Sequence, residues 1–180
     1  MVRTTDTRAR RTPPRAGALL LATLLTGCAG YRPGPTAGFE AGARSLEIAP
    51  FTNQTMEPRL PESLVVNLRT AVQKDGTYRL STHTGEADVV VRGTLLRLDR
   101  QGVTFSARDA QTVRDFQLTL VARVVAVDRS SGRTLVDREV QGRAVVPVLN
   151  DQVSSERQTL PLLTEDLSRN ILILLTDGDW

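Results

Sequence analysis

The chain has 180 residues, of which 40% are hydrophobic and 24% are charged. These values are typical of one folded globular domain and exclude a disordered or fibrous protein. The formal net charge of +3 comes from 23 basic against 20 acidic side chains, but residues 1–27 hold five of the basic and one of the acidic ones. The rest of the chain therefore has 18 basic against 19 acidic side chains, and its composition does not favour a nucleic-acid partner.

The N-terminus has the layout of a secretory signal peptide. Five arginines precede an uncharged apolar run from Ala16 to Leu25, which is about half the length that a membrane-spanning helix needs. The run ends in Leu25-Thr26-Gly27-Cys28, which resembles the lipobox of bacterial lipoproteins, where the cysteine thiol is lipidated. The alternative, a simple buried thiol, is disfavoured because Cys28 is the only cysteine and lies where cleavage is expected.

This reading predicts that residues 1–27 are removed and that Cys28 carries the lipid anchor. Several acyl chains on one cysteine anchor a protein stably. Ala29 follows the cysteine, not the aspartate associated with inner-membrane retention, so we expect the inner leaflet of the outer membrane, facing the periplasm. Residues 28–43 are rich in Gly and Pro and predict a flexible tether, which leaves residues 44–180 as one domain.

The first half of that domain predicts a strand, a helix and a second, short strand. Apolar residues alternate from Ser45 to Pro50, as in a strand. Pro61 suits the first turn of a helix, and Asp75-Gly76 suits its end. The helix has a single apolar stripe, formed by Leu64, Leu68 and Ala71 or Val72. Tyr78 to Ser81 then predicts a short strand or sheet edge.

Three longer strands follow. The first runs from Asp88 to Leu98, with Gly93 as a candidate bulge. The second, from Asp115 to Asp128, alternates most clearly of all. A tight hairpin over residues 128–133 joins it to the third strand, from Thr134 to Val146.

The last element is a helix with a wide apolar face. This face comprises Leu160, Leu163, Leu167, Ile171 and Leu174. Pro161 fits the first turn if Thr159 caps the helix, and it would kink a helix that began near Ser154; we favour the later start. The elements together predict an α+β fold with two helices packed on one face of a mostly antiparallel, mixed sheet of about four strands.

The residues that catalysis or metal binding requires are not clustered. His83 is the only histidine and lies in a Ser/Thr/Gly loop, where a surface position is expected. No serine or glycine motif of hydrolases or phosphate-binding loops is present. The carboxylates of Asp177-Gly178-Asp179 are too few for a calcium site. We therefore expect no catalytic residue, no metal and no cofactor.

The arginines are unevenly distributed. Residues 92–143 contain ten arginines against six acids, whereas residues 150–180 contain two against six. Arg100, Arg108 and Arg114 surround the predicted loop between the two long strands. Since arginine binds phosphate bidentately, they are candidates for a phosphorylated anionic ligand. The alternative is an ordinary arginine-rich surface in a chain with a single lysine, Lys74.

Four segments resemble the LptE family of lipopolysaccharide-assembly lipoproteins. They are residues 28–32 (CAGYR), 46–58 (LEIAPFTNQTMEP), 75–80 (DGTYRL) and 87–93 (ADVVVRG). The likeness covers nearly the whole mature chain and preserves the order of elements, although a strand ending in Pro-Phe-x-Asn recurs in other envelope lipoproteins.

The resemblance implies a non-enzymatic lipoprotein that sits inside the β-barrel protein LptD, supports its assembly, plugs it and contacts lipopolysaccharide. It also implies that Arg108, at a position where the family has a basic residue, contacts lipopolysaccharide. Two other classes remain open. One is an outer-membrane lipoprotein that activates a periplasmic enzyme such as a cell-wall synthase, and the other is a structural lipoprotein without a ligand.

Overall fold

Two helices and one mixed sheet form an α+β fold, as the apolar patterns predict. The computed structural model describes residues 41–106, 109–147 and 152–177. The elements in chain order are β1 Arg44–Ile48, β2 Thr52–Asn53, α1 Leu60–Asp75, β3 Tyr78–Leu80, β4 Val89–Ser106, β5 Asp109–Asp128, β6 Thr134–Pro147 and α2 Gln152–Thr176.

The sheet is parallel at one side and antiparallel at the other. Its strand order is β3-β1-β4-β5-β6, with β2 also paired to β4. β1 runs parallel to β3 and β4, and β4, β5 and β6 form an antiparallel meander. The sheet has six strands against about four expected. β3 confirms the short strand predicted from Tyr78 to Ser81, whereas β2 has only two residues and was not predicted.

Helix α1 forms as its stripe predicts. Its four buried side chains, Leu60, Leu64, Leu68 and Val72, recur every four residues and face the sheet. The helix ends where Gly76 adopts a left-handed φ of 77° and donates its N–H to the carbonyl of Val72 at 3.1 Å. Glycine accepts that conformation without a steric cost.

Helix α2 packs directly on the backbone of β6. Leu163, Leu167, Ile171 and Leu175 are all buried. A Cβ atom at Gly142 would lie 2.6 Å from the Cβ of Leu167 and 2.8 Å from the carbonyl oxygen of Leu163. Glycine at this position therefore sets how closely the helix approaches the strand.

The predicted start of α2 is wrong. The helix begins at Gln152, so Pro161 lies in its interior. Thr159 does not cap the helix, because it is buried within it and its Oγ1 donates to the carbonyl of Ser155 at 2.9 Å. The additional turns bring Glu156 to the sheet, where it binds Arg100.

The predicted bulge at Gly93 is also wrong. Gly93 pairs in register with Val124, and the ladder is irregular between Leu95 and Arg97 instead. A Cβ atom at Gly93 would lie 2.5 Å from Cε1 of Phe51. This glycine therefore makes room for the buried phenylalanine ring on the strand, not for an extra residue.

The hydrophobic core lies between the helices and one face of the sheet. The sheet contributes Leu46, Ile48, Val89, Val91, Leu95, Leu118, Leu120, Ala122, Val124, Ala126, Val136 and Val146. The alternation predicted for β5 is thereby confirmed. Among the residues that the structure describes, no helix combines the length and the apolar character needed to cross a membrane.

Candidate functional site

Arg100 joins three elements of the domain. It lies on β4 opposite the core residue Leu118, so its side chain is on the helix-covered side of the sheet. Its Nε donates to Oε1 of Glu156 on α2 at 2.9 Å, and its Nη2 lies 3.7 Å from Oε1 of Glu57, in the loop before α1. The hydrogen bond to Glu156 raises the pKa of Arg100. Arg100 is therefore engaged by two carboxylates of its own chain.

The loop predicted between the two long strands is mostly strand. β4 continues to Ser106 and β5 begins at Asp109, and these two residues are paired. Arg108 falls between them, outside the described residues. Arg114 is within β5, but its side chain is outside the described part.

The backbone positions of Arg100 and Arg114 are separated along the β4–β5 ladder. Leu118, opposite Arg100 in the ladder, is four residues from Arg114, about 13 Å along an extended strand. Cys28 also lies outside the described residues. Of the predicted site residues, only Arg100 has a side chain that the structure describes, and that side chain lies in an internal ion-pair network.

The face of the sheet opposite the helices, here called the outer face, carries charged residues that are not among the predicted site residues. Register and alternation assign to it Arg92, Arg97 and Asp99 of β4, Thr119, Val121 and Arg123 of β5, and Asp137, Glu139, Gln141 and Arg143 of β6. A second face of alternating polar residues is visible in the sequence, but the pairing of charges across strands depends on register.

Ion pairs link side chains across the outer face. Arg123 donates from Nε and Nη2 to the two carboxylate oxygens of Asp137, each at 2.7 Å. This contact lowers the pKa of Asp137 and raises that of Arg123. Val121, on the central strand β5 of this face, is only 1% exposed. Its cross-strand neighbours are Arg97 and Gln141. Long polar side chains beside a buried valine give this face a surface that is suited to polar, hydrated contact.

The hairpin between β5 and β6 is held by one carboxylate. Asp128 accepts hydrogen bonds from Ser130 Oγ at 2.6 Å and from the N–H and Oγ of Ser131, both at 3.0 Å. These bonds favour the ionised form and lower the pKa of Asp128 to about 2. Nearby, Arg129 Nη2 donates to Glu47 Oε2 at 2.7 Å and ties the hairpin to β1. These hydrogen bonds stabilise the hairpin and its position against β1.

No metal-binding geometry occurs within the described ranges, where no three His, Cys, Asp or Glu side chains are grouped to hold an ion. His83 is exposed in the loop between β3 and β4, and its carbonyl accepts a hydrogen bond from Ser81 Oγ at 3.0 Å.

Solved structures of low sequence identity share the fold. A hypothetical protein from Chlamydia trachomatis superposes with a TM-score of 0.54 at 12% identity, covering 78% of this chain and 98% of that one. The rare lipoprotein B from Shewanella oneidensis superposes with a TM-score of 0.51 at 9% identity, covering 74% of this chain and 94% of that one. A protein from Xanthomonas campestris gives 0.51 at 10% identity, with 74% and 85% covered.

A search of curated proteins finds no significant match. The family comparison is specific: the family described as "LptE: Lipopolysaccharide-assembly" matches residues 43–175. The match spans every strand and nearly all of α2, and it agrees with the resemblance seen in the sequence. The chain therefore belongs to the LptE lipopolysaccharide-assembly family.

Proposed function

We propose that this protein is the outer-membrane lipoprotein of a lipopolysaccharide export machine. In this role it occupies an LptD-type β-barrel, supports the assembly of that barrel, plugs it, and contacts lipopolysaccharide during insertion into the outer leaflet. The family match over residues 43–175 is the observation that carries the proposal. The protein acts as a binding and scaffolding subunit, not as an enzyme.

The outer face of the sheet supports a role within a barrel lumen. A lumen wall is polar, and this face presents paired charges such as Arg123 with Asp137 at solvent-exposed positions. When water is removed by contact with a polar wall, charges that are already paired lose less free energy than isolated charges, because each isolated charge needs a new partner. We propose this face as the main contact with the barrel.

We propose Arg108 as the first lipopolysaccharide contact, with Arg114 as the second. Arg108 falls in sequence between Ser106 and Asp109, the paired ends of β4 and β5, and Arg114 is within β5. Arg100 itself binds Glu156 and Glu57, which favours a structural role for it over direct contact with the ligand.

Lipopolysaccharide binding by the purified mature protein tests the Arg108 assignment. Arg108→Ala should weaken binding and Arg108→Glu should weaken it further, with unchanged circular dichroism. The matched control is Arg133→Ala, which removes an exposed arginine from the hairpin between β5 and β6. Equal binding by the Arg108 variants and the wild type removes Arg108 from the site.

Membrane fractionation tests the proposed anchor. Cys28→Ala removes the thiol that lipidation requires, so the variant should no longer incorporate labelled palmitate or sediment with the outer membrane. Palmitate incorporation that persists in the variant contradicts the assignment of Cys28.

A further inference from the structure

A cleft of about 520 Å³ separates the start of α1 from the N-terminal half of α2. The N-terminal half of α2 contributes Arg157, Leu160 and Pro161 to its lining, and Arg157 lies in the turns that precede the expected start of the helix. Its size lies within the range of small-molecule sites. Of its lining residues only Glu57, which pairs with Arg100, has a role in the candidate site described above.

The cleft combines an apolar floor with a basic rim. The apolar part consists of Leu60, which is only 1% exposed, and the half-buried Leu160. The basic part consists of the exposed Arg59 and Arg157. Ser63, which also lines the cleft, shares a hydrogen bond of 2.7 Å with Thr164 that joins the two helices. The two walls are therefore fixed relative to each other.

The charges around the cleft leave the two rim arginines available. The carboxylates of Glu57 and Glu156 are both engaged by Arg100. In the described part of the chain, no carboxylate lies within salt-bridge distance of Arg59 or Arg157. Two such guanidinium groups beside buried leucine match a ligand that is anionic at one end and apolar at the other.

We propose that this cleft binds a phosphate-bearing acyl lipid. Arg59 and Arg157 bind the phosphate, and Leu60 and Leu160 contact the first part of an acyl chain. The existence of the site follows from the cleft, whereas the identity of the natural lipid rests on the proposed function. Lipopolysaccharide and bilayer phospholipid share this chemistry.

Calorimetry with three soluble probes tests the match between ligand and cleft. Lauroyl lysophosphatidic acid, used below its micelle concentration, has both chemical features, monolaurin lacks the phosphate and glycerol 3-phosphate lacks the chain. The mature wild-type protein should bind the first probe at least tenfold more tightly than either of the others. Equal binding of monolaurin and the phosphorylated probe overturns the proposal.

Substitutions locate the binding. Arg59→Gln and Arg157→Gln should each weaken binding of lauroyl lysophosphatidic acid by about tenfold, the usual effect of one charge-assisted hydrogen bond. Glu57→Gln should strengthen it, because the cleft loses its one carboxylate. The control Arg133→Gln, at the opposite end of the sheet, should leave it unchanged. Equal losses in the cleft and control variants would show binding through general charge and overturn the proposal.

Two pull-down experiments with lipids distinguish a failure of this inference from a failure of the proposed function. Pull-down with vesicles of phosphatidylcholine containing phosphatidylglycerol tests a phospholipid source, and pull-down with lipopolysaccharide aggregates tests the other. Loss of either interaction in the Arg59/Arg157 double variant supports the cleft, even if no barrel partner is recovered from cells. If the double variant binds both as the wild type does, the cleft is not a lipid site, even if a barrel partner is recovered.

Discussion

Replacing Gly142 by alanine should destabilise the domain by about 2–3 kcal/mol, the upper part of the range for an overfilled core. The added Cβ would lie 2.6 Å from Leu167 Cβ, 2.7 Å from Leu167 N and 2.8 Å from Leu163 O. Carbon contacts normally lie at about 3.5–4.0 Å, so α2 must move by roughly 1 Å. Because two of these atoms belong to the helix backbone, a change of side-chain rotamer gives no relief.

The free energy of unfolding from urea titration, followed by circular dichroism, measures this effect. The control is Gln141→Ala, at the neighbouring exposed position of β6, which should change stability by less than about 0.5 kcal/mol. Adding Leu167→Ala should not rescue the Gly142 variant, because alanine keeps the Cβ and N atoms. Without the clash, glycine to alanine in a strand stabilises by about 0.5–1 kcal/mol, so an unchanged or raised stability would refute this description of the contact.

Three further predictions concern the second helix and the pH dependence of stability. Pro161→Ala should raise the unfolding free energy by about 1–3 kcal/mol, because it restores an N–H donor to the carbonyl of Arg157; a neutral result would place the proline in a first turn. Folding favours the ionised form of Asp128, so its stabilising effect is present above the ordinary pKa of 3.8 and should disappear as the pH falls toward the folded pKa of about 2. In urea titrations Asp128→Asn should flatten the dependence of stability on pH in that window, and an equally steep dependence would contradict this. Burial raises the pKa of Tyr78 to about 12, and its hydroxyl donates to Leu175 O at 3.0 Å. The unfolded chain therefore ionises first, and stability should fall from pH 10 to 12. Tyr78→Phe should be less stable at neutral pH but lose this alkaline slope, and retention of the slope would assign it to another group.

Periodic elements could be predicted from the sequence because one residue pattern decides each of them. The stripe of α1 with Gly76 after it, and the alternation of β5, each specify both the type of element and the buried face. The family resemblance also came from contiguous segments of this kind, and the match over residues 43–175 confirmed it.

Prediction from the sequence was wrong where residues distant in the chain decide the local structure. A cap at Thr159 with Pro161 in the first turn was the favoured start of α2, but the turns before Pro161 are held by the pairing of Glu156 with Arg100 across 56 positions in sequence. Gly93 resembles a bulge glycine until the ring of Phe51 is placed over it. In both cases tertiary contacts outweigh local preference.

For the candidate site, the sequence predicted the type of residue but not its partners. Excess arginine between β4 and β6 is visible in composition, but register decides that Arg123 binds Asp137 and that Arg100 is engaged by glutamates. The cleft between the helices is lined in part by Arg157, which lies in the turns of α2 that precede the expected cap at Thr159, so the sequence did not predict it.

Affinity purification of the full-length lipoprotein from detergent-solubilised outer membrane, with mass spectrometry of the recovered proteins, tests the central claim most directly. We predict stoichiometric recovery of a large LptD-type β-barrel without cross-linking, and reduced recovery when charges of the outer face are reversed, as in Arg123→Glu. Recovery of a cell-wall synthase, or of no partner, would contradict the export role.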